Sequence, residues 1–274
     1  MLGDELRRDL ADPDPRSAAF AGREGYARVA PTAVQHGSLR SWVVGYSPGV
    51  GEIGVGDATE LLMQCLAHVA DHGGGHVTLW REDARPDDDR VARNVGLEPD
   101  RALHQMVVDL PLVDIPPVEV DAALVIRPFV PGRDDAAWLD LNNAAFAGHS
   151  EQGGWTRAVL TRRLREAWFD PTWFLVAEID GQMVGFNWLR HHPAHGDTPE
   201  SGEIYVIGVH PSAAGRGLGR ALAIAGFELV AAQGVQNGML YVSADNDAAL
   251  ALYRSLGFTT SRTDRAYTAV VMPG

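Results

Sequence analysis

The stretch Glu203-Ile204-Tyr205-Val206-Ile207-Gly208-Val209, followed by His210-Pro211 and then by Gly215-Arg216-Gly217-Leu218-Gly219-Arg220, decides how the rest of this chain is read. Its first seven residues are β-branched and aromatic enough for a strand. The glycine run then opens an Ala/Leu-rich helix. A strand, a glycine-bearing turn and a helix N-terminus together hold phosphate: the turn lets the backbone come close, several N–H groups point at the anion, and the helix dipole favours negative charge there. A diphosphate ligand is therefore expected. A Walker-type loop would need Lys-Ser or Lys-Thr after the glycines, and the chain has no lysine. A dinucleotide fold would need these glycines spaced G-x-G-x-x-G near the first strand of its domain, and Gly215, Gly217 and Gly219 do not have that spacing.

The segments beyond that helix narrow the ligand. Met239-Leu240-Tyr241-Val242 reads as a second strand, Asp245-Asn246-Asp247-Ala248-Ala249-Leu250-Ala251-Leu252-Tyr253 as a helix, and Leu256-Gly257-Phe258 as its end. This order of segments resembles the GCN5-related N-acetyltransferase (GNAT) superfamily, in which R-G-x-G cradles the diphosphate of coenzyme A and N-x-x-A-x-x-x-Y-x-x-x-G-F comes after it. The glycine run alone would be a weak signal. Both motifs in the right order make a strong one.

Composition sets outer limits. A chain of 274 residues with 46% hydrophobic content is globular and long enough for two domains. A formal charge of -13 argues against nucleic acid, whose phosphates need basic clusters. The single cysteine, Cys65, lies in Leu61-Leu62-Met63-Gln64-Cys65-Leu66 and reads as a buried structural thiol. The sequence shows no apolar run of ~18 residues and no signal-peptide core, so a cytoplasmic protein without membrane attachment is expected. His191-His192-Pro193-Ala194-His195 reads as a flexible loop and no metal site is expected.

Along the chain, residues 1–37 are charged and Pro-punctuated, which suggests a short helix and then loop. Ser41–Tyr46 and Gly51–Val55 read as strands, and Asp57 as the N-cap of a helix to about His72, with Glu60 completing a capping box. His76–Trp80 is a strand, the acidic run Glu82–Asp89 a solvated turn, and Asp88–Arg93 helical. Gly51-Glu52-Ile53 parallels Gly202-Glu203-Ile204, and Val91–Leu97 parallels Leu252–Phe258. The expectation is an α+β protein of tandem GNAT-like domains, each a mixed, mainly antiparallel sheet flanked by helices. Residues 1–113 would form a degenerate, shortened copy, 114–122 a proline-rich linker, and 123–274 the catalytic domain. The first copy, having lost its phosphate turn, would be a scaffold and substrate wall that binds no coenzyme A. In the second, Asp134–Phe146 and Trp155–Trp168 read as helices, and Trp173–Glu178 with Met183–Leu189 as a hairpin turning at Asp180-Gly181. Trp138, Trp168 and Trp173 read as core.

Three further stretches, Asn142–Thr156, Glu166–Pro171 and Gly202–Val209, look like the mycothiol synthase family, tandem acetyltransferases that act on the cysteinyl amine of cysteinyl-glucosaminyl-inositol. Acetyl transfer to an amine needs a base, a held carbonyl and a proton for the thiolate. Glu203 is the candidate base, with an exposed strand-end carboxylate as its plainer reading. Tyr253 is the candidate acid, with a core aromatic as its alternative. The carbonyl would meet a backbone N–H near Ile207, Gly208 and Val209, where Gly208 permits a bulge. The resemblance further implies that Ile207–Val209 and Ala214, Gly215, Arg216, Gly217, Leu218, Gly219 and Arg220 bind acetyl-CoA. Asn246, Asp247, Ala248, Ala249, Leu250 and Ala251 would lie along its pantetheine arm, and Glu151, Arg190, Glu203 and Tyr241 would touch the sugar-inositol acceptor. Arg190 also reads as a solvated residue and Tyr241 as a buried strand aromatic. Ala214 departs from the Gln or Arg of the superfamily, and Arg190 from the more frequent Lys of the family. Acetylation of another amine or peptide N-terminus, and a non-catalytic acetyl-CoA-binding module, are the competing readings. A monomer is expected.

Overall fold

Residues 14–37, expected as loop, instead hold two strands in the computed structural model, which describes residues 14–36, 39–49, 51–148, 152–196 and 198–274. The helix expected before them lies outside the described residues. In chain order the strands and helices are β1 (Ala18–Ala21), β2 (Gly25–His36), β3 (Leu39–Pro48), α1 (Val55–Asp71), β4 (Gly75–Arg81), α2 (Pro86–Asn94), β5 (Glu98–Asp109) and β6 (Leu124–Pro128). They continue with α3 (Asp135–Ala145), α4 (Arg157–Arg163), β7 (Phe174–Ile179), β8 (Gln182–His192), β9 (Ser201–Val209), α5 (Leu218–Ala232), β10 (Asn237–Ser243), α6 (Asp247–Arg254) and β11 (Thr259–Val271).

These elements form two compact units. The first comprises Met1–His104, Ser243–Asp245 and Arg262–Gly274; the second comprises Gln105–Val242 and Asn246–Ser261. Neither is one contiguous stretch of chain.

In the first unit the strands run in the order β1-β2-β3-β4-β11, with β3 and β4 parallel and β11 closing the sheet antiparallel to β4. Trp42, Val44, Leu61, Leu62, Cys65, Leu79 and Tyr267 form its core. Burial pushes the Cys65 thiol up to about 12, so it is inert. Three expectations fail here. Gly51–Val55 is not a strand but the approach to α1, whose N-cap is Gly54. Asp57 lies in the first turn of that helix and accepts from the Arg23 and Glu24 N–H groups. The Gly-Glu-Ile echo therefore joins a loop to a strand; what does repeat is the succession β3-α1-β4-α2-β5 against β9-α5-β10-α6-β11. The acidic run is a solvated turn only in part: Glu82, Asp83 and Asp87 are exposed. Asp88 is buried, accepting from the Tyr46 hydroxyl at 2.5 Å and Arg81 Nε at 2.8 Å, while Asp89 accepts from Tyr267 and Arg265.

The second unit orders its strands β5-β10-β9-β8-β7-β6. The β7–β8 hairpin turns where expected, with Asp180 and Gly181 both at positive φ (50° and 74°), the requirement of a two-residue type I′ turn. The second predicted helix is cut to Arg157–Arg163, capped by the Thr156 side chain on the Val159 N–H. Trp138 is buried as expected, stacked edge-on against Trp155, Phe174, Phe186 and Trp188, while Trp168 and Trp173 are only half-buried.

Helix α5 packs on β8 and β9 at short range. Asn187 Nδ2 donates to the Leu222 carbonyl at 2.9 Å, and a Cβ at Gly226 would stand 2.3 Å from that nitrogen. Gly226→Ala is expected to cost about 1–3 kcal/mol by overpacking, read as a shift in the urea midpoint at unchanged slope.

Candidate active site

The site is organised by the parting of two parallel strands in the second unit. β9 and β10 are paired from Gly202↔Gly238 through Met239↔Glu203 to Leu240↔Ile204, and the register ends there. From Tyr205 to Val209 the β9 edge that faces β10 is therefore open, a slot into which an extended ligand can lay its amides. On its other edge β9 stays paired with β8, apart from one irregularity. That irregularity corrects the expected bulge at Gly208. The register skips Tyr205, between Trp188↔Val206 and Leu189↔Ile204, while Gly208 pairs regularly with Phe186. Gly208 is needed for packing, since a Cβ there would lie 2.8 Å from the Phe186 ring. Tyr205 sits where its ring meets Trp168 and Trp188 at centroid distances of 4.8 and 5.7 Å.

At the end of β9 the chain makes one 3-10 turn, Pro211–Ala213, and enters the glycine loop. Gly215 and Gly217 have φ of 75° and 73°, a left-handed conformation that costs a residue with a Cβ about 1–2 kcal/mol. Gly217 is the N-cap of α5, and no side chain caps that helix. The first N–H groups of a fifteen-residue helix are thus presented beside Ala214, Gly215, Arg216 and Leu218 without a capping side chain, which suits an anion. A Cβ on Gly217 would also come within 3.1 Å of the Glu119 carbonyl. The proline-rich segment thus reaches the loop, and Asp121 pairs with the Arg216 guanidinium at 2.6 Å. Arg220 donates to the Ser255 hydroxyl. Asn246 caps α6 by accepting from the Ala249 N–H at 3.1 Å, which fixes Asp247, Ala248, Leu250 and Ala251 in its first turns.

Of the two candidate proton-transfer residues, Glu203 is 4% exposed, which removes the strand-end alternative. Arg190 stands opposite it in the β8–β9 register, and His192 Nε2 lies 2.7 Å from its Oε2. Tyr241, half-buried on β10, accepts from Gln105 Nε2 at 2.9 Å. Its backbone is two residues beyond Met239, the partner of Glu203, so both project to the same face. Tyr253 lies elsewhere. It is packed with Ile204, Leu240, Val242 and Phe258 in the α5–α6 core, on the face of β9 opposite Glu203. Burial pushes its phenol up to about 12, so it is neutral at physiological pH and able to donate. Glu151 lies outside the described residues.

Two contributors were missed in the sequence. Trp168, read as core, carries the Arg190 guanidinium 4.9 Å above its ring. His191 and His192, read as a flexible loop, end β8 instead; His191 pairs with Glu200 and His192 with Glu203. The two-residue spacing of His192 from Arg190 was the available signal, since the two must share a face.

The chain matches the model of the Acetyltransferase (GNAT) family over residues 137–258. It is 45% identical to the mycothiol acetyltransferase of Thermobispora bispora, over 74% of this chain and 68% of that protein. It is 38% identical to the mycothiol acetyltransferase of Frankia alni, over 89% of this chain and 81% of the relative. The chain belongs to the mycothiol acetyltransferase family. The match to another mycothiol acetyltransferase, from Pseudarthrobacter chlorophenolicus, is 46% identical but spans 55% of the relative's length. Among solved structures, a GCN5-related N-acetyltransferase from Sphaerobacter thermophilus aligns over 99% of this chain with a TM-score of 0.72 and 20% identity. A tandem GNAT protein from the clavulanic acid biosynthesis pathway aligns over 98% with a TM-score of 0.67 and 19% identity. Those two likenesses concern the fold, and they agree with the tandem α+β architecture expected from the sequence. Among the described residues no helix is long and apolar enough to cross a membrane.

Proposed function

We propose that this protein transfers the acetyl group of acetyl-CoA to the cysteinyl amine of cysteinyl-glucosaminyl-inositol, giving mycothiol and CoA. The observation that carries the reading is the parting of β9 from β10 at Leu240↔Ile204, beside an α5 N-terminus that no side chain caps. An extended pantetheine arm fits the open edge and a diphosphate fits the helix end. Loop residues Ala214–Leu218 and Gly219 hold the diphosphate through main-chain N–H groups, which is why Ala214 serves as well as a longer side chain. For Arg216 to add its charge, it must exchange Asp121 for phosphate. Arg220 and the first turns of α6, Asn246–Ala251, flank the arm.

In this reading Glu203, directly or through water, takes a proton from the acceptor's ammonium group. The main chain of Ile207, Gly208 and Val209 polarises the thioester carbonyl on the open edge. Tyr253, neutral, donates its phenolic proton to the departing thiolate from the opposite side of the sheet, through the gap between β9 and β10. Arg190 and Tyr241, with Glu151, bind hydroxyls of the sugar-inositol. Acetyl-CoA is the cosubstrate and a small-molecule amine the acceptor. A monomeric cytoplasmic protein is consistent with this chemistry.

We further propose that the first unit binds no coenzyme A. There the equivalent helix, α1, already has an anion at its start: Glu24 Oε2 accepts from the Gly54 N–H at 2.6 Å. The neighbouring cavity, about 290 Å³, is lined by Glu52, Glu82, Asp83, Asp87 and Asp88. Arg81 and Arg85 also line it, but they are paired with Asp88 and Glu52, so a diphosphate would meet an excess of like charge.

Steady-state assay of CoA release with cysteinyl-glucosaminyl-inositol, glucosaminyl-inositol and a peptide N-terminus tests the function. Product with the first acceptor alone is expected; equal rates with the peptide would transfer the activity to another amine, and no product with any would leave a binding module. Calorimetric titration with acetyl-CoA is expected to find one site per chain, and two sites of similar affinity would refute a silent first unit.

A further inference from the structure

A base that has taken a proton must lose it again before the next turnover, and Glu203 is badly placed to lose one to water. Its side chain is 6% exposed, whereas that of His192, 2.7 Å away through Nε2, is 32% exposed. The imidazole therefore touches the carboxylate at one nitrogen while part of its side chain is open to solvent. The placement is set by strand geometry. Arg190 pairs with Glu203 across β8 and β9, and His192, two residues further on the same face, reaches back diagonally while its own backbone pairs with Ser201.

We infer that His192 is the positioning residue and proton exit for Glu203, an inference that rests on Glu203 being the base. Between turnovers His192 Nε2–H donates to Oε2 and holds the carboxylate in place. After Glu203 has taken the amine's proton, His192 exchanges its Nε2 proton for one on Nδ1 through water, then accepts the carboxyl proton at Nε2 and releases the one on Nδ1 to water. The net result is one proton moved from ammonium to solvent, with the carboxylate restored and no bond to carbon changed in this step. Arg190 is the partner of Glu203 in the β8–β9 register, Tyr241 lies on the same face of β10, and the Trp168 ring lies under Arg190 and against the Tyr205 ring. Among these only the imidazole can both accept and give a proton near neutral pH. His191, one residue earlier, points the other way to Glu200 and serves as an internal control.

Two variants separate the exit from a merely structural contact. His192→Gln keeps a donor near Oε2 but cannot pass a proton, and His192→Ala leaves room for free imidazole. With saturating acetyl-CoA and the preferred acceptor, His192→Gln is expected to lower kcat about tenfold or more, with KM for acetyl-CoA within about twofold, and to alter the kcat profile between about pH 6 and 9. Added imidazole is expected to restore His192→Ala in proportion to its concentration, and to leave Glu203→Gln and His191→Gln unaffected. Wild-type kcat and pH profile in His192→Gln, or a loss in His192→Ala that imidazole never relieves, would overturn the proposal. If instead Glu203→Gln itself keeps full activity, the base assignment fails first. Urea melts of each variant identify any loss that comes from unfolding.

Discussion

Glu203→Gln is expected to lower kcat about 10³-fold while leaving acetyl-CoA binding within about threefold, because the substitution keeps the volume and removes the basic oxygen. The side chain sits buried between Arg190 and His192, so its charge is local and poorly replaced by water. The loss should shrink as pH rises, because a growing share of the acceptor then arrives already as free amine and needs no base. Steady-state kinetics from neutral to alkaline pH, with calorimetric binding of acetyl-CoA, check this. A loss confined to KM for the acceptor would make Glu203 a hydroxyl-binding residue and not a base.

Tyr253→Phe is expected to leave acetyl-CoA affinity unchanged and to lower turnover about 100-fold, the usual share of a positioned general acid. The ring packs with Leu240, Val242 and Phe258, so phenylalanine fills the same space and the fold is retained. An unchanged turnover would make this residue the core aromatic that its surroundings also allow. The variant carries a stability signature as well. The folded phenol lies at about 12, above its ordinary value near 10, because burial disfavours the phenolate. A raised folded value means stability that is complete below about pH 10 and lost as pH rises toward 12. That part of the alkaline loss, about 2–3 kcal/mol at most, disappears in Tyr253→Phe. Denaturant melts at about pH 11 compare the two proteins directly.

The glycine loop, the helix after it and the Asp180-Gly181 turn were legible because each is decided within a few residues. Positive φ and a free helix start are local requirements that only a few residue types meet. Glu203 and Tyr253 were singled out as candidates by chemistry at fixed positions along those elements. Their burial, and their lying on opposite faces of β9, were not legible. Neither was His192, since a histidine after a strand looks the same in a loop until the partner strand is known.

The same limit explains the errors in the first unit. Gly25–His36 reads as loop because Pro31 and several alanines blur its alternation, yet it is a strand because β1 and β3 pair on either side of it. Glu82–Asp89 reads as solvated because charge usually is, yet Asp88 and Asp89 accept from Tyr46, Arg81, Arg265 and Tyr267, residues up to 178 positions away in sequence.

By itself, then, the sequence determined the glycine turn, the succession of strands and helices around it, and, through its resemblance, the family to which the chain belongs. Short-range backbone geometry and capping chemistry settle these. Only the tertiary structure decided that Arg262–Gly274 closes the sheet of the first unit, that β9 parts from β10 after Ile204, and that Glu203 meets a half-exposed imidazole. Each of these depends on which distant strand lies alongside, and strand pairing is chosen by burial and register across the whole sheet, which no local pattern encodes.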